Sequence, residues 1–406
     1  MQRRLLLLSF VNLLVVALLG VLLRAFPLLS SFPFTYKNIL HGHSHFAFTG
    51  WVMLVLFVLL MKCFPGIGEK IPYRHWRNTA ALILLSAYGM LIAFPLQGYK
   101  AVSISFSTVA IVATVYLTVV VAKVVSTLPT TTSYRFITWG LFYACLSSLG
   151  PFALGPLMAM GKSGSPLYFD AIYFYLHFQY NGFFTFFVLA LLYRMLEKRG
   201  KTVYGNKVFF LLNTALVPAY ALSILWHQPS VLFNWLGGAA ALLQLAAVFY
   251  LLKDVVRAGL NKSFLLYLSL SALVLKSLLQ VFSAFPAVAQ LAYEQRNLVI
   301  AYLHLVLLGF VTLFVFASVL PDRRSSKQGL GFFLFSFFTT ETLLVLQAAG
   351  AVFSFRIPFY TECLIAFSVF FPLGIIFILR SLLAKKPFSG RSVSQRLEES
   401  APFTIG

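Results

Sequence analysis

The sequence has few charged residues, and acidic residues are the rarest of them. Asp, Glu, Lys and Arg make up only 10% of the 406 residues, and only ten residues are Asp or Glu. An average soluble domain is roughly 25% charged. With 60% of its residues hydrophobic, the chain cannot be an ordinary soluble domain, and its composition indicates an integral membrane protein.

Cysteine is also scarce. The three cysteines, Cys63, Cys145 and Cys363, fall in different hydrophobic segments. This excludes a disulfide framework. The sequence also shows no obvious internal repeat and no loop long enough to hold a soluble domain.

Long apolar runs dominate the chain. A membrane-spanning helix needs roughly 20 apolar residues, and twelve segments qualify: 5–28, 39–64, 76–98, 101–125, 135–160, 169–195, 207–229, 231–255, 262–286, 297–320, 330–355 and 358–384. The first is too long for a signal peptide and lacks a cleavage site, so we take it as a span. We therefore expect an all-α integral membrane protein, a single twelve-helix domain over residues 1–386, with a short disordered cytoplasmic tail at 387–406.

The formal net charge of +21 follows the membrane topology. If the N-terminus is cytoplasmic, most of the 31 Lys and Arg residues fall in inner loops and tails. This is the positive-inside pattern, and it places both termini in the cytoplasm. The basic surface therefore predicts contact with anionic membrane lipid rather than with nucleic acid.

Histidines cluster near the outer ends of four predicted spans. Three lie in the stretch HGHSHFAFTGW of span two, and one lies in each of spans six, seven and ten: His41, His43, His45, His177, His227 and His304. A single such histidine commonly bonds to a neighbouring carbonyl, but ionisable residues in several spans at similar depth indicate a function. Imidazole is a common ligand of haem iron and of copper.

Spans two and ten supply a pair of imidazoles for one b-type haem. On a helix, His41 and His45 share a face, whereas His43 points elsewhere. Only one of the two reaches an iron atom. We prefer His45 because it lies further inside the span, and His41 is the alternative; the partner is His304.

The layout of these histidines resembles that of the haem-copper oxidase superfamily, nearest to the cbb-type oxidases and the nitric oxide reductases. Span six reads YLHFQYNGFF around His177, span seven reads YALSILWHQPSVLFNW with Tyr220 and His227, and span ten reads AYLHLVLLGF around His304. The resemblance covers the whole core of the catalytic subunit and implies a bacterial-type cytoplasmic membrane.

The resemblance implies roles for these residues. The span-two histidine and His304 would hold a low-spin haem b, bound non-covalently because no C-x-x-C-H motif is present. His177 and His227 would hold copper or non-haem iron, with Tyr220 as an active-site tyrosine seven residues before His227, on the same face of an α-helix. Arg356, in the loop after span eleven, would meet the haem propionates.

The sequence departs from the family pattern at the second metal site. Trp226 stands where the first histidine of the span-seven pair is expected, and Tyr302 stands where a high-spin haem's axial histidine is expected; Gln179 and Asn181 replace the reductases' glutamate. Three interpretations remain. Tyr302 ligates a second haem as tyrosinate, His177, His227 and Tyr220 hold a metal with fewer histidines, or the site is a packed pocket.

Two further ionisable residues lie near mid-membrane, Lys276 in span nine and Glu341 in span eleven. Because unpaired charges are costly there, each requires a partner or a functional reason. They belong either to a proton path or to a buried ion pair, or Lys276 stands alone next to water.

Three functions follow from these observations. The first is a redox enzyme that reduces nitric oxide, or less readily oxygen, with electrons from quinol or a separate cytochrome c subunit. The second is a non-catalytic membrane cytochrome that senses a gas, carries electrons or handles haem. The third is a transporter, which usually has two related halves and broken helices; neither feature is evident.

Overall fold

The computed structural model describes residues 1–260 and 263–384. The predicted tail at 387–406 lies outside the described residues. In the described part, all regular structure is helical, with no strands, as the composition predicts. Eleven helices are long and apolar enough to cross a membrane, so the chain has the character of a multi-pass membrane protein.

We label the eleven long apolar helices, together with the helix of the sixth predicted span, in chain order. Their bounds are α1 Gln2–Leu28, α2 Tyr36–Cys63, α3 Tyr73–Gln97, α4 Ala101–Val125, α5 Thr132–Ala159, α6 166–198, α7 Gly205–His227, α8 Leu232–Arg257, α9 Phe264–Ser283, α10 Arg296–Val319, α11 Arg324–Phe353 and α12 Tyr360–Leu383.

Helix α6 is not among the eleven candidate spans. It is long enough to cross a membrane, but His177, Gln179 and Asn181 lower its hydropathy. The number of spans and the side on which each terminus lies therefore stay predictions from the sequence.

The contacts divide the chain into two compact units, with boundaries inside α4 and α10. The first unit contains residues 1–117 and the chain from 315 onwards. Its central helix is α2, in which every residue from Trp51 to Met61 is buried. A helix that is apolar on all sides belongs in a core, and Phe10 of α1 packs against Trp51 with 5.3 Å between ring centroids.

The second unit contains residues 118–314. Its central helix is α6, which is buried from Asn181 to Tyr193. Two acidic residues of this unit accept hydrogen bonds near helix ends. The Glu197 carboxylate accepts hydrogen bonds from the Ser133 N–H at 2.8 Å and hydroxyl at 2.6 Å. The Asp254 carboxylate accepts the backbone N–H groups of Val203 and Tyr204 before α7, which satisfies donors that a helix start leaves without partners.

Three of the long helices change to π-helix for about two turns. These segments are Ala47–Met53 in α2, Phe178–Phe184 in α6 and Leu305–Thr312 in α10. π-Helix is rare and occurs frequently at functional sites. The last part of α7, Tyr220–His227, is instead a 3₁₀ helix.

Candidate functional site

In the first unit, His41 and His45 face α3, as their helical spacing predicts. The His45 ring stacks on Phe94 with centroids 4.5 Å apart, and its Nε2 lies 2.8 Å from the Tyr99 hydroxyl. The His41 ring meets Tyr99 edge-on at 4.6 Å. His43 faces α1, where its ring lies 3.5 Å from the position of a Cβ on Gly20.

The two candidate ligands of α2 differ in their hydrogen bonding. The Nε2 of His41 is buried and has no hydrogen-bond partner among the described residues. The Nε2 of His45 is engaged by Tyr99, so coordination by His45 requires that bond to open. His41 and His45 thus both supply an imidazole on the α3 side of α2, and of the two only His41 has an Nε2 without a hydrogen bond to a described residue.

The π-helical segment that follows His45 is stabilised by neighbouring polar groups. The Gly50 carbonyl accepts a hydrogen bond of 2.7 Å from the Asn12 amide, and the Tyr88 hydroxyl donates to the other end of that amide at 2.7 Å. The Phe46 ring fills the space beside Gly50, since a Cβ there would lie 2.8 Å from it. The irregular turn is therefore packed around glycine and anchored by a buried amide.

In the second unit, His177 is a fully packed histidine. It is 1% exposed, its Nε2 lies 2.9 Å from the Leu216 carbonyl, and its Nδ1 lies 3.2 Å from the Asn181 amide nitrogen. The Nε2–H therefore donates to Leu216 and Nδ1 accepts from Asn181. Both nitrogens that a metal would use already have protein partners.

Asp170 organises the other predicted metal ligands. The His227 Nε2 lies 3.1 Å from one carboxylate oxygen, and the Trp226 indole N–H donates to the other at 3.2 Å. The Tyr220 hydroxyl donates to the Asp170 backbone carbonyl at 2.9 Å. Tyr220 also lies beside His177, with ring centroids 5.8 Å apart.

The sequence interpretation missed Asp170 and placed Tyr220 and His227 on one α-helical face. Because Tyr220–His227 is 3₁₀ helix, seven residues advance the chain by about two and a third turns rather than about two. Tyr220 bonds to the backbone carbonyl of Asp170, whereas His227 bonds to its carboxylate. The only sequence signal was an acidic residue near the start of an apolar span.

Tyr302 and His304 belong to the start of α10. The Tyr302 ring lies 6.1 Å from the ring of Tyr180 in α6. His304 directly precedes the π-helical segment Leu305–Thr312, in which the Phe310 carbonyl accepts a hydrogen bond of 2.7 Å from the Ser269 hydroxyl. This segment also contacts the π-helical segment of α6.

One sequence motif connects the three π-helices. Each is preceded by a histidine that is followed five residues later by glycine and then by an aromatic residue: HFAFTGW from His45, HFQYNGF from His177 and HLVLLGF from His304. His41 and His227 have no such sequence after them. The structure gives all three copies the same local form, with the histidine ahead of a π-helical segment.

The remaining predicted residues lie apart from these clusters. Arg356 is exposed in the turn between α11 and α12. Glu341 interacts electrostatically with the Arg24 guanidinium, which supplies the partner that a carboxylate at that depth requires. Lys276 has no hydrogen bond or ion pair with any residue that the structure describes. Among those residues, no group of three or more His, Cys, Asp and Glu side chains is arranged to hold a metal ion.

Comparison with known proteins gives no family assignment. No protein-family model matches the chain, and no curated protein matches its sequence. The relationship to the haem-copper oxidase superfamily therefore stays a prediction that rests on the motifs.

Proposed function

We propose that the chain is a multi-pass membrane cytochrome that binds one low-spin haem b, in a bacterial-type cytoplasmic membrane. The observation that carries the proposal is the motif of His, four residues, Gly and an aromatic residue, in which the His precedes a π-helix and the Gly lies within it. Of its three histidines, His177 has both ring nitrogens bonded within the protein, which leaves His45 and His304. Imidazoles are the usual axial ligands of a b-type haem.

The sequence motifs indicate which residues would hold such a haem. His45 and His304 would be the axial ligands, His41 would be the neighbouring polar side chain with an open Nε2, and the exposed Arg356 would pair with a propionate. A bound haem would supply one-electron transfer at this position. The protein would fix the ligand rings through the π-helices and hold the His45 ring against Phe94.

The geometry of the second unit favours a cytochrome over a nitric oxide or oxygen reductase. His177, His227 and Tyr220 each have a short hydrogen bond within the protein, and two of the three end on Asp170. A copper or iron ion at this place, or a second haem on Tyr302, would have to displace these bonds or the Tyr180 ring. We therefore propose that this region is a packed polar network, which binds nitric oxide or oxygen at most and does not reduce them.

Haem and metal stoichiometry of the purified protein tests the proposal. We expect one haem b per chain with a six-coordinate low-spin spectrum, and neither copper nor non-haem iron in stoichiometric amount. Two haems with a third metal, together with nitric oxide or oxygen consumption that the His177→Ala change abolishes, would establish the enzyme instead. Purified protein without a Soret band would refute every haem-based function.

Ligand variants test the assignment within that haem. His304→Ala and His45→Ala should each abolish the low-spin spectrum. His75→Ala is the matched control, because His75 bonds to the Tyr116 hydroxyl at 2.7 Å outside the motif, and it should keep the wild-type spectrum. If His41→Ala removes the spectrum and His45→Ala does not, the open Nε2 of His41 identifies the ligand and the motif argument fails.

A further inference from the structure

Lys276 is a buried lysine without a hydrogen bond or ion pair to any described residue. Its side chain on α9 is 4% exposed. An amine in the interior of a membrane protein is costly unless something solvates it. A water molecule would solvate its Nζ.

A small cavity lies beside Lys276 inside the second unit. Besides aliphatic side chains, it is lined by five polar residues from three helices: Asn181, Thr185, Gln244, Lys276 and Ser277. All five are at least nine-tenths buried. The space open to the centre of a water molecule is about 10 Å³, which accommodates about one water and no larger ligand.

A second lining residue, Asn181, has a buried polar atom without a partner among the described residues. Asn181 is 2% exposed, and its Oδ1 accepts no hydrogen bond from them. The Nδ2 of the same amide donates to His177, so Oδ1 can accept from another donor. Lys276 and Asn181 both line the cavity, and a water that bridged their side chains would have polar partners of the kind it requires.

We propose that this cavity binds one ordered water molecule, which joins Lys276 Nζ to Asn181 Oδ1 and makes Lys276 and His177 a coupled proton-binding pair. The chain of contacts runs from Lys276 through the water to the Asn181 amide, and from there to His177 and the Leu216 carbonyl. A proton taken up by the Lys276 amine is then felt at the His177 ring, with which it interacts electrostatically.

Few ionisable groups other than this pair face the cavity from the described residues. Helices α7 and α8 present Leu212, Leu216, Gln244, Val248 and Leu251 to it. Asp254, one turn after Leu251 on α8, is bound by backbone N–H groups.

The part of α10 that packs on α9, Leu305–Thr312, carries no ionisable side chain, and Tyr302 and His304 come shortly before it. On its other side, the His177 ring lies 5.8 Å from the ring of Tyr220, whose hydroxyl donates to the Asp170 backbone carbonyl. The proposal does not depend on a bound haem.

Density at a resolution that resolves water tests the site directly. In the wild-type protein we expect a single peak within about 3.2 Å of both Lys276 Nζ and Asn181 Oδ1. Lys276→Met and Asn181→Leu should each lose the peak. Ser269→Ala, which removes a hydroxyl on the same helix that bonds to Phe310 and not to the cavity, should keep it. A wild-type map with an empty cavity overturns the proposal.

The coupling is tested separately by ¹⁵N NMR of histidine-labelled protein, with the His177 signals assigned from a His177→Gln sample. In the wild type, these signals should respond to pH in two steps, one from each member of the pair. Lys276→Met should leave one step, and Ser269→Ala should leave both. If the His177 response is the same with and without Lys276, the coupled pair is refuted, even when Asn181→Leu fails to fold.

Discussion

Asp170 is one of only ten acidic residues in the sequence, and three side chains bond to it. Asp170 receives Trp226 and His227 at its carboxylate and Tyr220 at its carbonyl. The His227 and Asp170 side chains are 24% and 17% exposed. The pair therefore lies in a partly buried setting, where solvent screens charge less than at the surface.

We predict that Asp170→Ala lowers the free energy of unfolding by about 1.5–3 kcal/mol, the range for hydrogen bonds to a charged group. The matched control is Asp322→Ala, which removes the exposed Lys327–Asp322 pair at 3.1 Å and should cost about 0–1 kcal/mol. Thermal unfolding in detergent compares the two. Equal melting temperatures for the two variants would show that Asp170 does not hold this cluster together.

At this scale, the sequence indicates which residues are candidates for a site better than it predicts which groups they contact. The depth of His177 and the seven-residue separation of Tyr220 from His227 favoured a metal site. The Leu216 carbonyl and the Asn181 amide, which satisfy the imidazole in the structure, carry no distinctive sequence signal. A backbone carbonyl 39 residues away becomes a partner only after α6 and α7 pack. The possible partner of Glu341 was likewise invisible, since Arg24 lies on a different helix.

At the scale of the element, the glycine of the repeated motif is the position most sensitive to change. A Cβ on Gly182 would lie 2.6 Å from the Tyr143 Cβ, which cannot move without shifting the helix backbone. We expect Gly182→Ala to cost about 1–3 kcal/mol by overpacking. Gly331→Ala is the control, because nothing lies within 4 Å of its Cβ position, and it should stabilise α11 by up to about 1 kcal/mol.

Chemical unfolding of the two variants separates these effects. If Gly182→Ala is as stable as the wild type, the π-helix of α6 has room to adapt, and the tight packing around it is not what holds its shape.

The helices themselves were predictable, whereas their irregular turns were not. Eleven of the predicted spans fall on helices that are long and apolar enough to cross a membrane, because an apolar run of sufficient length allows few other structures in lipid. Apolar content does not distinguish an α-turn from a π-turn or a 3₁₀ turn. The motif at each π-helix is present in the sequence. Its link to π-helix is evident only from the structure, in which the three copies adopt the same conformation.

At the scale of the whole molecule, the distribution of basic residues predicts which loops face the cytoplasm. Lys201 lies between α6 and α7, and Lys100 lies between α3 and α4; both are exposed. With Cys63, Cys145 and Cys363 replaced by serine, a membrane-impermeant maleimide added to intact cells should label Lys100→Cys and not Lys201→Cys.

Inverted vesicles supply the control, in which the two labelling patterns should exchange. Labelling of both positions from the same side would mean that an odd number of spans does not separate them, and α6 would then be the first helix to reconsider. Because α6 is the least apolar of the long helices, this measurement tests the span that hydropathy alone supports least.

Each π-helical segment holds one more residue than an α-helix would use for the same turns. Deleting one residue inside Phe178–Phe184 would therefore let α6 continue as regular α-helix, with its two flanks in nearly the same relative orientation. Deleting one residue in a regular part of α6 would instead rotate one side of the helix by about 100°. In this protein, the secondary structure would tolerate the loss of one residue at any of three places without turning the preceding histidine to another face.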